Sequence, residues 1–267
     1  MDFLDYTFFR YALAGVVLIS LSAAVVGSYI VTRRLTAIAG GITHACFGGL
    51  GLGYFLGISP VLMAAVFAVA SSLGVEMMST RYRVREDSAI AVVWAIGMAI
   101  GVIFVFLTPG YVPELNSFLF GNILTIGRTD LMIFGGYTLV LTLFFARYFN
   151  VIVAVAFDRD FARVSSLPVT MISTAMTVLV AVCIVLTIKL VGVMLLMSML
   201  SLPLMVAEIY CRRFKTMMFA SIAISAAGST AGLLLSAVIN VPCSALIVAS
   251  LSAIFILAKS LSPWLKR

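Results

Sequence analysis

Charged residues are scarce in this sequence. Asp, Glu, Lys and Arg make up 10% of its 267 residues, whereas 63% of the residues are hydrophobic. A soluble domain of this length carries about 25% charged residues, so most of the outer surface must contact lipid. Each crossing of a membrane takes about 20 apolar residues, which leaves no room for a soluble domain. We therefore predict a single transmembrane domain over residues 1–267.

Motifs for catalysis and for nucleotide binding are also missing. The sequence contains no Walker A phosphate loop, no H-E-x-x-H and no G-x-S-x-G motif. Its four cysteines lie far apart without a C-x-x-C pair, which argues against a zinc or redox motif. We predict a non-catalytic protein without a cofactor, whose energy comes from a partner or from an ion gradient.

Long apolar stretches dominate what remains. Nine of them cover residues 11–31, 36–57, 60–80, 89–108, 131–149, 169–188, 190–210, 216–239 and 242–258. Each approaches the length of a membrane span, so we predict an all-α bundle of eight or nine transmembrane helices. The count depends on the stretches that meet at Lys189 and on residues 111–130, which resemble an outer interfacial or re-entrant helix. The N-terminus lacks the pattern of a cleaved signal peptide, so the first span is expected to stay in the mature protein.

The distribution of basic residues predicts the orientation. With the N-terminus outside, only Arg10, Arg128 and Lys189 of the 17 basic residues fall on the outer side. Cytoplasmic loops collect Lys and Arg, so we predict an outer N-terminus and a cytoplasmic C-terminus. This pattern explains the net charge of +7 without nucleic acid. Glu76, near the inner end of a span, is expected to snorkel or to pair with Arg81.

The second apolar stretch contains the only histidine, His44, together with seven of the 20 glycines. Glycines at such spacings favour tight helix packing. His44 follows Arg34 by ten residues, which places it about 15 Å into the bilayer. An ionisable residue at this depth usually faces a cavity or a pathway, and a neutral imidazole can ligate a divalent metal. The alternative is a histidine hydrogen-bonded within the bundle through Thr43 or a carbonyl.

Residues 155–169 predict a short amphipathic helix. Its apolar stripe consists of Phe157, Phe161, Val164 and Leu167. Asp158 and Asp160 lie at its start, where the helix dipole favours negative charge. Arg159 and Arg163 lie away from the stripe and are expected to reach a partner. The alternative is an interfacial helix on the lipid headgroups.

Five segments together resemble the permease subunits of zinc, manganese and iron ABC importers. They are GGITHACFGGLGLGYFLG at 40–57, REDSAIAVVWAIGMAIG at 85–101, LNSFLFGNIL at 115–124, FDRDFARVSSLPV at 157–169 and KLVGVMLLMSMLSLPLMVAEIYCRRF at 189–214. They follow the order and spacing of that family, and the resemblance covers nearly the whole chain.

The resemblance implies a multi-pass permease of the bacterial plasma (inner) membrane that pairs with a second permease copy, as a homodimer or pseudo-dimer with the pathway at the interface. A cytoplasmic ATPase would dock below, and an extracytoplasmic metal-binding protein would deliver the divalent ion. The coupling helix of the family maps onto residues 157–168, and its pathway histidine onto His44, next to Thr43. The predicted coupling residues are Phe157, Asp158, Arg159, Asp160, Phe161, Ala162 and Arg163.

Two positions depart from the family pattern. Family members commonly have an aspartate one turn before the histidine, where this chain has Gly40, and often a glycine where it has Ser166. One imidazole per subunit then remains, so His44 is expected to bind the metal weakly and transiently, which suits a conduit.

Two other classes of protein compete with this interpretation. A secondary transporter or channel driven by an ion gradient would need carboxylates deep within its spans, and the sequence has none near midplane. An intramembrane enzyme would need a catalytic dyad, for which His44 alone is insufficient.

Overall fold

The computed structural model describes residues 6–110 and 121–265, and within these residues it contains α-helices but no strands. The helices are α1 (Thr7–Thr32), α2 (Thr36–Leu56), α3 (Pro60–Thr80), α4 (Glu86–Leu107), α5 (Arg128–Phe157), α6 (Arg159–Val164), α7 (Val169–Tyr210), α8 (Phe214–Ile239) and α9 (Cys243–Leu265). The predicted all-α fold class is confirmed, because apolar stretches of this length satisfy their backbone hydrogen bonds internally as helices.

In the described part of the chain, seven helices are long and apolar enough to cross a membrane: α1, α3, α4, α5, α7, α8 and α9. Helix α2, which is rich in glycine and contains His44, is not among them. The two stretches predicted to meet at Lys189 form α7, in whose 42 residues two helical segments meet at the non-helical Gly192 (φ 80°, ψ 172°). Helix α5 is likewise interrupted at Tyr148 (φ −112°, ψ 18°).

The segment predicted as an outer helix at 111–130 is only partly described. Residues 111–120 lie outside the described residues. The rest contains a 3-10 turn at Ile123–Thr125, for which Asn122 Oδ1 accepts the backbone N–H of Leu124 at 3.0 Å, and then the start of α5.

The chain divides into two compact units. Unit 1 comprises residues 1–31, 119–148 and 190–267, and unit 2 comprises residues 32–118 and 149–189. In unit 1, Ser22 Oγ of α1 lies 2.8 Å from Thr138 Oγ1 of α5, and Tyr210 O–H donates to the Ala258 carbonyl at 2.8 Å. Hydroxyl bonds between helices of this kind hold apolar helices together where no hydrophobic effect drives association.

In unit 2, α2 packs closely against α3 and α4 through glycines. A Cβ atom at Gly49 would lie 2.7 Å from Ala64 Cα of α3, and one at Gly101 of α4 would lie 2.5 Å from the Phe47 carbonyl oxygen of α2. Both distances are too short for a real Cβ contact, so only glycine permits this approach. The close packing predicted from the glycine spacing of α2 is therefore present.

Candidate pathway residues and coupling helix

His44 lies in the middle of α2 and is half-buried. Its ring stacks on the indole of Trp94 from α4, with centroids 4.5 Å apart and planes inclined by 2°. On its own helix, the ring of Phe47 lies at 5.9 Å and 22°. His44 is thus held among aromatic rings, in a contact that the sequence pattern did not reveal.

The polar atoms beside this stack have no hydrogen-bond partner among the described residues. His44 Nδ1 and Thr43 Oγ1 are both buried and unpartnered. The structure therefore shows neither a bond from Thr43 to the imidazole nor one from Nδ1 to a carbonyl, which was the alternative prediction. Buried polar atoms are usually bonded, so these two atoms on adjacent residues keep hydrogen-bonding capacity that no described group uses.

No preformed metal cage surrounds His44. In the described residues, no three His, Cys, Asp or Glu side chains lie close enough together to hold a metal ion. Cys46, two residues along α2, is buried and points to another side of the helix, and Gly40 offers no side chain.

The predicted coupling segment contains the short helix α6, Arg159–Val164, inside the predicted range 157–168. Asp158 caps its start, since Oδ1 accepts the backbone N–H groups of Asp160 at 3.0 Å and Phe161 at 2.9 Å. After its end, Ser166 has a left-handed backbone with φ 56°. This conformation costs most residues energy and suits glycine, which explains why the family often has glycine at this position.

One side of this segment is apolar and exposed. Phe157, Phe161 and Val164 are 67%, 63% and 87% exposed, respectively. Ala162, on the opposite side, is fully buried. Helix α6 thus packs against the rest of unit 2 through a small residue. The large apolar side chains of Phe161, Val164 and the preceding Phe157 point outward, and we call these three residues the docking face.

Arg159 does not extend toward a partner as the sequence suggested. Its guanidinium donates to Glu76 Oε1 at 3.2 Å and to Ser173 Oγ, and lies 3.9 Å from Glu86 Oε1. Glu76 therefore pairs with Arg159 and not with Arg81. The isolated chain thus has Arg159 paired internally, an arrangement that helical spacing does not reveal because it indicates which side a residue takes but not which distant carboxylates lie there.

Four residues extend this contact into a charge network: Arg33, Glu76, Glu86 and Arg159. Arg33 donates to Glu86 Oε1 at 2.8 Å, and the side chains of Arg33 and Glu76 are only 9% and 14% exposed. The network joins α6 to α3, to the start of α4 and to the residue after α1. Ion pairs so shielded from water are screened less by salt than surface pairs. Arg163, by contrast, makes only an exposed pair with Asp160 at 3.4 Å.

A family model matches residues 5–262, almost the full length of the sequence, and its description is the ABC 3 transport family. This chain belongs to the ABC 3 transport family. Individual relatives of this ABC 3 member support the same assignment. The chain is 33% identical to a probable metal transport system membrane protein of Chlamydia pneumoniae, over 84% of this chain and 78% of that protein. It is 28% identical to the manganese transport system membrane protein MntC of Halalkalibacterium halodurans, over 97% and 89% of the two chains.

A solved structure supports the same family assignment for the ABC 3 member. PsaBC from Streptococcus pneumoniae, in complex with Fab, matches it with a TM-score of 0.82 at 26% identity, over 96% of this chain and 92% of the other. The resemblance to metal-importer permeases seen in five sequence segments is thereby confirmed. The ABC 3 member is a multi-pass permease of the bacterial plasma membrane, and its seven apolar helices suit that location.

Proposed function

We propose that this chain is the permease subunit of an ABC importer for a divalent metal ion, either zinc, manganese or iron, and that a separate cytoplasmic ATPase energises it. One observation carries this proposal: a permease without a nucleotide-binding motif exposes the apolar docking face on α6. Exposed apolar side chains of this size mark a surface that contacts a protein or a membrane, and membership in an ABC transport family favours a protein partner here. The names of the relatives, which mention metal and manganese transport, support the choice of substrate.

The proposed topology follows from the charge pattern. Adding α2 to the seven apolar helices and dividing α7 at Gly192 yields nine spans, while eight spans remain if one of these segments does not cross. The outer N-terminus and cytoplasmic C-terminus follow from the excess of basic residues on one side. The same assignment places α6 on the cytoplasmic side, where an ATPase can bind it. The whole chain would act as a single permease domain in the lipid bilayer.

The proposed ion pathway passes His44 and Thr43. Their polar atoms Nδ1 and Oγ1 are buried and have no partner among the described residues, so an ion or its water shell would satisfy them once the pathway opens beside α2. A second copy of the chain, as a homodimer, would supply a second imidazole, and an extracytoplasmic metal-binding protein would deliver the ion. The docking residues would be Phe157, Phe161 and Val164 of the docking face together with Arg163, while Asp158, Asp160, Ala162 and Arg159 shape α6 and fix it to the rest of unit 2.

The decisive experiment is reconstitution in liposomes. With the ATPase subunit and ATP inside, and the metal-binding protein outside, we expect uptake of radioactive manganese, zinc or iron that stops when ATP is omitted. Liposomes with the permease alone should take up none, whatever proton or sodium gradient is imposed. Uptake driven by a gradient without the ATPase would show that the protein is a secondary transporter or a channel instead. Comparing the three metals would identify the substrate.

A His44→Ala substitution should lower ATP-driven metal uptake by about tenfold, the effect of losing a transient interaction worth about 1.4 kcal/mol. Co-purification of the ATPase should not change, since His44 lies on α2 and not on the docking face. The matched control is Cys46→Ala, two residues along the same helix. Normal uptake by His44→Ala at limiting metal concentrations would remove His44 from the pathway.

A further inference from the structure

We infer that Trp94 is the positioning residue for His44: its indole holds the imidazole in one orientation toward the ion pathway. The inference rests on the proposed pathway role of His44. The two ring planes are parallel to within 2° at a centroid distance of 4.5 Å. Ring pairs at this distance attract each other beyond the simple burial of their area.

The usual means of orienting a metal-binding histidine is missing here. Such a histidine normally donates its second ring N–H to a carboxylate, carbonyl or water, which fixes the ring. His44 Nδ1 is buried without a partner, and the neighbouring Thr43 hydroxyl makes no bond to it. Since Nδ1 is not anchored to any described group, the stack on Trp94, with Phe47 at 5.9 Å, is what restrains the ring.

The backbone of α4 places Trp94 opposite His44. Trp94, Gly97 and Gly101 are spaced three and four residues apart, so they share one face of α4. A Cβ atom at Gly97 would collide with the backbone of Ala45, next to His44, and one at Gly101 would lie 2.5 Å from the Phe47 carbonyl oxygen. The two helices therefore meet backbone to backbone just beyond the ring pair, and the stack cannot slide along the helix axes.

Trp94 is 43% exposed, so its indole is not simply filling the core of unit 2. It covers one face of the imidazole and leaves its own remaining surface open. The energy of an aromatic pair corresponds to a factor of about two to ten in the population of the held orientation. The same factor is expected in metal uptake if Trp94 acts through His44.

The first test needs no transport. Trp94 and Trp264 are the two tryptophans of the sequence, so Trp264→Phe makes Trp94 the sole fluorescent indole of the chain in nanodiscs. In this background, His44→Ala should shift the emission maximum of Trp94, because removal of the stacked ring exposes one face of the indole to different surroundings. Cys46→Ala should leave the emission maximum unchanged. An identical emission maximum with and without His44 would overturn the inference, whatever the protein transports.

The second test separates positioning from packing by a double-mutant cycle on ATP-driven uptake. Trp94→Leu, which keeps an apolar side chain but removes the ring, should reduce uptake by about two- to tenfold, and Trp94→Phe should retain most of it. In a His44→Ala chain, Trp94→Leu should have no additional effect. If it lowers uptake by the same factor without His44, Trp94 acts through packing and the inference is wrong. Unchanged uptake in His44→Ala alone would instead refute the pathway role of His44. The emission of Trp94 would still show whether the two rings stack.

Discussion

A Phe161→Asp substitution should abolish ATP-driven metal uptake while leaving the permease folded. Phe161 is 63% exposed on α6, so a carboxylate there remains solvated in the isolated chain. In the complex, the same carboxylate would enter an apolar groove of the ATPase. The loss of a buried phenylalanine alone costs about 1.5–3 kcal/mol, and an unpaired charge at an interface adds several more. Docking should weaken by at least about 100-fold.

The measurements for this variant are co-purification of the ATPase and uptake in liposomes. Phe161→Leu is the matched control, since it keeps an apolar side chain at the same place and should retain most of the uptake. Val164→Asp, at the other end of the docking face, should behave like Phe161→Asp. An ATPase that still binds Phe161→Asp and still drives uptake would mean that α6 is not the docking element.

Reversal of the charge at Arg159 should both destabilise the permease and uncouple it. Arg159→Glu would place a third carboxylate next to Glu76 and Glu86, where the structure has an ion pair at 3.2 Å and a second cation–anion approach at 3.9 Å. Removing one partner of a buried pair costs about 3–5 kcal/mol, and the partial exposure of Glu86 favours the lower end of this range. The network joins α6 to α3 and α4, and both of these helices pack against α2. Once the network is broken, movement of α6 would no longer be transmitted through them to α2.

Rescue by charge exchange distinguishes this effect from a general loss of packing. The double variant with Arg159→Glu and Glu76→Arg restores opposite charges and should recover a large part of the thermal stability, and with it uptake per ATP hydrolysed. Arg163→Glu is the comparison for stability, since its pair with Asp160 is exposed and is worth less than about 1 kcal/mol. Equal thermal stability of the Arg159→Glu and Arg163→Glu chains would show that the charge network contributes nothing.

The extent of the helices was largely predictable from the sequence. The stretches 36–57 and 60–80 correspond to α2 (Thr36–Leu56) and α3 (Pro60–Thr80) within one residue at each end. Turn-forming residues mark these ends, Gly57 with a left-handed backbone (φ 67°) and Pro60 at the first helical position. The interruption at Gly192 was harder to place, since Lys189 is the only charged residue near it in the sequence and a single glycine within an apolar run does not reveal its own backbone angles.

The residues of the candidate site were predictable from the sequence, but the contacts between them were not. His44 was found because one ionisable residue in an apolar span is costly, and the docking face was found from the spacing of Phe157, Phe161 and Val164. Its outward direction agrees with the exposure of those side chains. Neither the stack of Trp94 on His44 nor the pairing of Glu76 with Arg159 could be predicted this way, because these partners are 50 and 83 residues apart.

By itself, the sequence determined that this protein is a helical membrane protein, since scarce charge and long apolar runs are properties of composition and local order. Only the tertiary structure decided which side chains meet: that Arg159 turns inward to two glutamates, and that an indole covers the single histidine. The physical reason is that helix periodicity specifies the faces of each helix, whereas the pairing of faces depends on how closely glycine-bearing backbones such as those of α2 and α4 can approach.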